Sequence, residues 1–413
     1  MISLFEDTAS RRDKVSDLLS VLLVSSFTLF SLNTIGAIIM VALVFLIYIN
    51  YLLSNGGRVR FHLGIFHTYL IIAGLFCFLS AIWAIEPKYA IEKGVTLFEI
   101  LVAFSLLYEV YKDCSIKRLF MILMWSGFFL SIYAIVFVGI DNLQETLENA
   151  DRLESSFANI NLIGISAASS MLIACYYLFK RNNVLDILFC IPSLLVVAAS
   201  GSRKALVFLV IGIIVISTNM SKTKRGGIKS NKLLSAIFYC IFIIAIVYLF
   251  SKLSIFKGTM ARMDGMIASF TGKGEADSSS LIREYFRKIG FEQFLKTPIL
   301  GIGMGNARIL AMQFTGRDCY LHCNYAEIAA NGGIVGLVVF YWLYLKLLYS
   351  EYRCKANNAE VLLVLLFLML NLVMDYGMVS YYSKDAIYRI MVFCIHYESL
   401  KKINQNPNDL IAD

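Results

Sequence analysis

Ile35-Gly36-Ala37-Ile38-Ile39-Met40-Val41-Ala42-Leu43-Val44-Phe45-Leu46-Ile47-Tyr48-Ile49-Asn50-Tyr51-Leu52-Leu53 is a run of 19 residues without a charge. A helix crossing the hydrocarbon layer needs roughly 20 apolar residues, so this stretch reads as a membrane span. Leu18–Thr34 lies directly before it. Ten further apolar segments follow: Gly64–Ile85, Ile91–Val110, Lys117–Ile140, Ile160–Phe179, Val184–Ser200, Lys204–Thr218, Leu233–Phe250, Gly333–Ser350, Val361–Gly377 and Ala386–Leu400. These runs are continuous rather than alternating, which favours helices over a closed barrel, the other structure that satisfies its backbone in lipid. The expectation is an all-α, polytopic helical bundle of about 12 transmembrane helices, a single transmembrane domain over residues 1–413.

Composition agrees. The chain is 59% hydrophobic and only 16% charged, with a mean hydropathy of +0.71. Soluble domains run about 45–50% apolar and about 25% charged. With 4 prolines and no low-complexity tract, disorder is a poor reading. The net charge of +8 is mainly topogenic. With the N-terminus inside, 20 of the 37 Lys and Arg fall on inner segments, as the positive-inside rule asks. Nucleic acid is therefore not an expected partner. No cleavage site of the signal-peptide kind is evident, and the first helix reads as a signal anchor. The cysteines lie mostly inside apolar spans, as small hydrophobes, and imply no disulfide framework.

Two outer segments then carry the polar chemistry. Residues 141–158 hold five acids against Arg152. Residues 251–332 form one segment of 82 residues, and loops this long are usually functional or disordered. Within it, Asp277-Ser278-Ser279-Ser280 offers helix-capping residues. Leu281, Ile282, Tyr285, Phe286, Ile289, Phe294 and Leu295 then recur at helical spacing, opposite Arg283, Arg287, Lys288, Glu292 and Lys296. The pattern predicts an amphipathic helix at the membrane surface, stopped by Pro298. Pro298-Ile299-Leu300-Gly301-Ile302-Gly303-Met304-Gly305-Asn306 follows. It lacks the βαβ context of a dinucleotide site, so its glycines read as letting the backbone turn tightly or approach a ligand.

Tyr320-Leu321-His322-Cys323-Asn324-Tyr325-Ala326-Glu327 leads into the tenth span. For His322 two readings stand, a packed histidine and a general acid–base group. For His62, His67 and His396, near inner span ends, an interfacial or packed histidine is the favoured reading. Cys319, His322 and Cys323 suggest zinc only weakly, since no second ligand pair exists. Arg203, in the short Ser200-Gly201-Ser202-Arg203-Lys204 loop, either snorkels or clamps an anion through its planar fork. Arg283 and Arg287, one turn apart, are candidates for the same ligand or for a solvated face. Glu99 reads as the one acid deep in a span, pairing an arginine or lining a polar cavity.

Several pieces, in order, resemble the O-antigen polymerase/ligase superfamily of polytopic glycan transferases. They are Ser80-Ala81-Ile82-Trp83-Ala84-Ile85-Glu86-Pro87, Arg152 through Phe157-Ala158-Asn159-Ile160-Asn161, and Ser200-Gly201-Ser202-Arg203. The large loop adds Arg283, Pro298 with Gly301-Ile302-Gly303, and His322-Cys323-Asn324-Tyr325 through Glu327, Asn331-Gly332-Gly333 and Gly336. The family often has a proline between the two asparagines where Ile160 stands. The resemblance implies a GT-C-like, metal-independent glycosyltransferase of the cytoplasmic membrane, both termini cytoplasmic, with no cofactor. Its substrate would be a glycan on undecaprenyl diphosphate, transferred with inversion, and a chain-length regulator is an implied partner. Arg203 and Arg283 would hold the diphosphate, His322 would deprotonate or orient the attacking hydroxyl, Arg152 and Arg287 would bind substrate, and Asn324, Tyr325 and Glu327 would line the site. The Glu327 to Gly333 stretch looks more like polymerases of capsule, exopolysaccharide or O-antigen than like ligases that load a lipid A–core. A flippase or transporter is a third reading, disfavoured because no internal repeat is seen. A non-catalytic scaffold would leave Arg203, Arg283 and His322 dispensable.

Overall fold

The computed structural model describes residues 11–30, 34–58, 61–139, 159–181, 186–220, 278–316, 318–354 and 360–405. Among them there are thirteen helices and no strand. They are α1 (Arg11–Leu29), α2 (Thr34–Ser54), α3 (Ile65–Ser80), α4 (Pro87–Tyr111), α5 (Ile116–Val138), α6 (Ile160–Arg181), α7 (Ile187–Ala199) and α8 (Arg203–Met220). After the longest undescribed stretch come α9 (Ser278–Lys296), α10 (Ala307–Thr315), α11 (Asn324–Cys354), α12 (Glu360–Asp375) and α13 (Lys384–Gln405). Four helices are long and apolar enough to cross a membrane: Gly36–Ser54, Ile116–Val138, Ile160–Leu178 and Asn324–Cys354. α3 and α7 are shorter apolar helices. This is the build of a membrane helical protein. Four such helices are fewer than the twelve expected spans, and Leu233–Phe250 lies outside the described residues.

The chain divides into two compact units. Of the described residues the first holds 17–30, 34–43, 117–139, 159–181 and 186–220. In it α6 packs on α7 and α8. Small residues allow close approach: a Cβ on Gly127 would stand 2.2 Å from the Ser166 carbonyl oxygen. The Ser170 hydroxyl donates to the Met124 carbonyl at 2.7 Å, and Arg118 pairs with the fully buried Asp17 at 2.8 Å. Buried charges of this kind are tolerated only when paired.

The second unit holds residues 44–116 and 278–413 with Arg11–Ser16. α3 lies against α4, and α11 contacts α3, α9, α12 and α13. At one end His67 Nδ1 accepts the Gly64 amide at 3.1 Å, and His396 Nδ1 lies 2.8 Å from Glu351. Both histidines are buried, as the packed reading requires. Glu99 differs from its expected setting. It is exposed on α4, because the buried stripe runs through Ala90, Gly94, Leu97, Ile100, Phe104 and Leu107 and Glu99 falls off that face. The buried acids of this unit are Glu109, Glu327, Glu351, Asp375 and Asp385.

Candidate functional site

The other end of the second unit is where α3 and α12 stop and α4, α11 and α13 begin. Here α11 is broken. Gly333 takes φ 59° and ψ −153°, inside an otherwise continuous helix. A break frees backbone groups, and buried backbone groups must find partners. The glycine-rich loop supplies them. The amides of Ile302 and Gly303 donate to the carbonyls of Ala330 and Asn331, at 3.0 and 2.9 Å. In return the amides of Ile334 and Val335 donate to Pro298 and Ile299, at 2.8 and 3.2 Å. Such an exchange needs two backbones in contact. A Cβ on Gly301 would stand 2.4 Å from the Asn331 carbonyl carbon, and one on Gly333 2.4 Å from that of Ile299. These glycines thus approach another stretch of backbone, where the sequence reading has a tight turn or a ligand.

The loop is also tied to the turn between α3 and α4. Trp83 Nε1 donates to the Leu300 carbonyl at 3.0 Å, and the Met304 amide donates to Ser80 Oγ at 2.9 Å. Asn306 Oδ1 accepts the Glu86 amide at 2.7 Å, while its Nδ2 donates to the Glu86 carbonyl at 3.3 Å. Asn331 Oδ1 accepts the Ala307 amide at 2.5 Å, at the start of α10. Ser80 through Pro87, the glycine loop and Asn331-Gly332-Gly333 thus form one hydrogen-bonded frame.

On this frame sits the turn that carries His322. Its φ is +55°, which makes it the one non-glycine residue with positive φ among the described residues. That conformation costs about 1–3 kcal/mol and persists only where the surroundings enforce it. Enforcement is visible on both sides. The Leu321 amide donates to Glu327 Oε2 at 2.8 Å, and the Glu327 amide donates to the Cys323 carbonyl at 2.9 Å. The half-buried His322 ring stacks on Phe286 of α9, with centroids 6.0 Å apart, and lies 4.3 Å from the Tyr320 ring.

Asn324, Tyr325 and Glu327 are engaged with the protein itself. Asn324 Nδ2 donates to Tyr341 Oη at 2.8 Å and to Asp375 Oδ2 at 3.1 Å, and its Oδ1 accepts the amides of Ser380 and Tyr381. Asp375 also accepts from the hydroxyls of Tyr341 and Ser380. Tyr325 Oη donates to the Leu372 carbonyl at 2.7 Å. Asp375 was not among the sequence candidates. It closes an apolar run, and an acid in the last turn of such a run is the signal that would have found it.

α9 begins and ends as the spacing predicts, but its faces differ from the predicted split. Phe286 is buried with Ala307, Ala311, Leu321 and Ala330 in one small core. Leu281, Tyr285, Phe291 and Leu295 are exposed beside Lys288 and Glu292, whereas Arg283 and Arg287 are half-buried. The reason is that α9 packs on α10 and α11, so the face beside Gly290 turns inward. A Cβ on Gly290 would stand 3.0 Å from Ala326 Cβ. Arg287 lies over the Tyr376 ring, 4.7 Å from its centroid. Burial raises the Tyr320 pKa, and the charge of Arg283 acts against that rise. Arg283, Arg287 and His322 are thereby gathered at one end of one unit.

Arg203 opens α8 in the first unit. Ser202 caps that helix, its Oγ accepting the Ala205 amide at 3.4 Å. Gly201 makes the turn at φ +56°. A cation in the first helical turn opposes the helix dipole. Arg152 and the caps at Asp277 lie outside the described residues. Cys319 and Cys323 are free thiols, and burial pushes the Cys323 thiol up. Among the described residues no three His, Cys, Asp or Glu side chains gather as metal ligands.

A rigid frame, one strained imidazole, two half-buried guanidinium groups and several tyrosine rings can hold an anionic ligand beside a general base. A family model described as O-antigen ligase matches residues 188–341. The match takes in Arg203, Arg283, Arg287 and the His322 turn. No curated protein matches the chain.

Proposed function

We propose, from the match of residues 188–341 to the O-antigen ligase family model, that the protein is a glycan polymerase of the O-antigen polymerase/ligase superfamily. It transfers a chain from undecaprenyl diphosphate onto the next lipid-linked repeat unit, on the outer face of the cytoplasmic membrane, with both termini cytoplasmic. The supporting observation is His322, held at φ +55° beside Tyr320, with the Arg283 charge acting on that same ring.

His322 takes the proton of the acceptor sugar hydroxyl. The hydroxyl oxygen forms the new bond at the anomeric carbon as the bond to the diphosphate breaks, with inversion. Arg283 neutralises the charge growing on the departing diphosphate, and Arg203 is proposed as a further diphosphate-binding residue. Arg287 and Arg152 bind substrate, and Asn324, Tyr325 and Glu327 hold the turn. Arginine takes the place a metal would fill, so no cofactor enters the scheme. A regulator of chain length is an expected partner. The Glu327 to Gly333 stretch, as it resembles polymerases, favours this reading over transfer to a lipid A–core.

Deleting the gene and restoring it as wild type, His322→Ala or Arg283→Ala separates the readings on a gel of surface glycan. A polymerase defect leaves single repeat units. A ligase defect leaves full-length polymer on the lipid carrier. A transporter defect leaves repeat units on the inner face. A wild-type ladder from both variants would overturn the site assignment.

A further inference from the structure

Lys93 lies in the second turn of α4, well outside the stretch matched by the family model. Its stem runs along the glycine frame: a Cβ on Gly305 would stand 3.2 Å from Lys93 Cγ. Its Nζ sits 3.4 Å from the centroid of the Tyr382 ring. The residue is half-buried. Lys88, Lys112, Arg308 and Arg389 each have a carboxylate within ion-pair distance. Among the described residues, no carboxylate lies within that distance of Lys93. The acids whose charge it feels are Glu327 and Glu92. Glu327 is committed to the Leu321 amide. Glu92 lies between Lys88 and Arg308, at 3.9 and 3.7 Å.

An ammonium carries three donors, and a ring face satisfies none of them as a hydrogen-bond acceptor would. Withdrawing a cation from water without an anion is unfavourable. Such a group is balanced when an anion arrives. The neighbours of Lys93 say where that anion would lie. The Tyr382 ring packs edge-on to Tyr381, with centroids 4.8 Å apart. Gly305 belongs to the loop whose Ile302 and Gly303 amides bind the Ala330 and Asn331 carbonyls, so Lys93 and Tyr382 stand on the frame that carries the His322 turn. There an ammonium beside an aromatic ring takes an oxyanion through the donors that the ring leaves unused.

We propose that Lys93 is an oxyanion-binding residue of the transfer site, seated on the glycine frame beside Tyr382. The inference rests on the glycan-transfer reading and deepens it by assigning the anionic end of the substrate. The oxyanion is a phosphate oxygen of the lipid diphosphate or the carboxylate of an acidic sugar.

Binding by the purified full chain in detergent tests this without relying on transfer. The probes are a short-chain polyprenyl diphosphate and glucuronate, with wild type, Lys93→Met, Lys93→Arg and Lys88→Met. Met at 93 keeps the packing on Gly305 and Tyr382 while removing the charge. If the anion is phosphate, Lys93→Met weakens the diphosphate at least tenfold, Lys93→Arg recovers most of it, and glucuronate is unaffected. If it is a sugar carboxylate, the glucuronate arm alone shows that pattern. Lys88→Met, at an exposed lysine of the same helix, binds as wild type in either case. Wild-type affinity of Lys93→Met for both probes overturns the proposal, as does failure of the wild type to bind either. A deletion strain with normal surface glycan would instead overturn the transfer reading, whatever Lys93 binds.

Discussion

The amide of Leu321 donates to the carboxylate of Glu327 at 2.8 Å, immediately before the residue with the strained backbone. Glu327 thus works as a backbone clamp for the turn. Removing it leaves a buried amide unsatisfied, at a cost of about 1–3 kcal/mol. Glu327→Ala is expected to lose surface polymer and to unfold at lower temperature in detergent, while Glu327→Gln, which keeps an acceptor oxygen, retains most activity. Equal failure of Gln and Ala would mean that the charge itself contacts substrate.

Gly301 and Gly333 should be irreplaceable, and Gly316 should not be. All three have positive φ, but a Cβ at Gly316 meets nothing within 4 Å. Gly316→Ala carries only the left-handed penalty, about 1–2 kcal/mol. Gly301→Ala and Gly333→Ala add a backbone collision and are expected to abolish folded protein. Fluorescence-detected size exclusion of tagged variants distinguishes these outcomes. A monodisperse Gly333→Ala would contradict the paired-backbone account.

Strain and chemistry at His322 can be separated. Glycine adopts positive φ freely and asparagine more readily than most side chains. His322→Gly is expected to gain about 1 kcal/mol of stability, by removing the left-handed penalty, and to make no polymer. His322→Asn should keep near-native stability and be equally inactive. Melting temperature together with the glycan ladder reads both. A polymer-forming His322→Asn would remove the imidazole from the mechanism.

Arg287 depends on Tyr376 for its position. A cation over a ring at an exposed site is worth about 0.5–1 kcal/mol. Tyr376→Phe should leave the ladder unchanged, and Tyr376→Ala should shorten it through weaker substrate binding. The check is polymer yield at lowered levels of lipid-linked donor, where the alanine variant should fall off first. Equal yields of the two variants would show that Arg287 needs no ring.

Much of the helical architecture could be read from the chain alone. α3, α4, α11, α12 and α13 fall where apolar runs lie, because hydrophobicity is a local property, although of these five only α11 is long and apolar enough to cross a membrane. α9 was legible from its spacing and from Pro298, and the Ser200 to Arg203 turn from its lone glycine between apolar runs. His322, Arg283 and Arg287 stood out because charged or titratable groups beside apolar runs are costly without a purpose.

What tertiary structure decided is which of those groups face one another. Hydropathy measures how apolar a segment is and carries no information about its rotation. So Glu99, read as deep, lies on an exposed face, while Asp375 is sealed against Asn324 and Tyr341. The backbone exchange between residues 298–303 and the break at Gly333 joins stretches some thirty residues apart. It depends on distance in space, as does the seat of Lys93 against Gly305 and Tyr382. Sequence determined that this is a helical membrane protein with a polar, glycine-framed segment. Packing decided that Asn324 and Glu327 brace a strained histidine, because a buried donor or acceptor must be satisfied by whichever group the fold brings within reach.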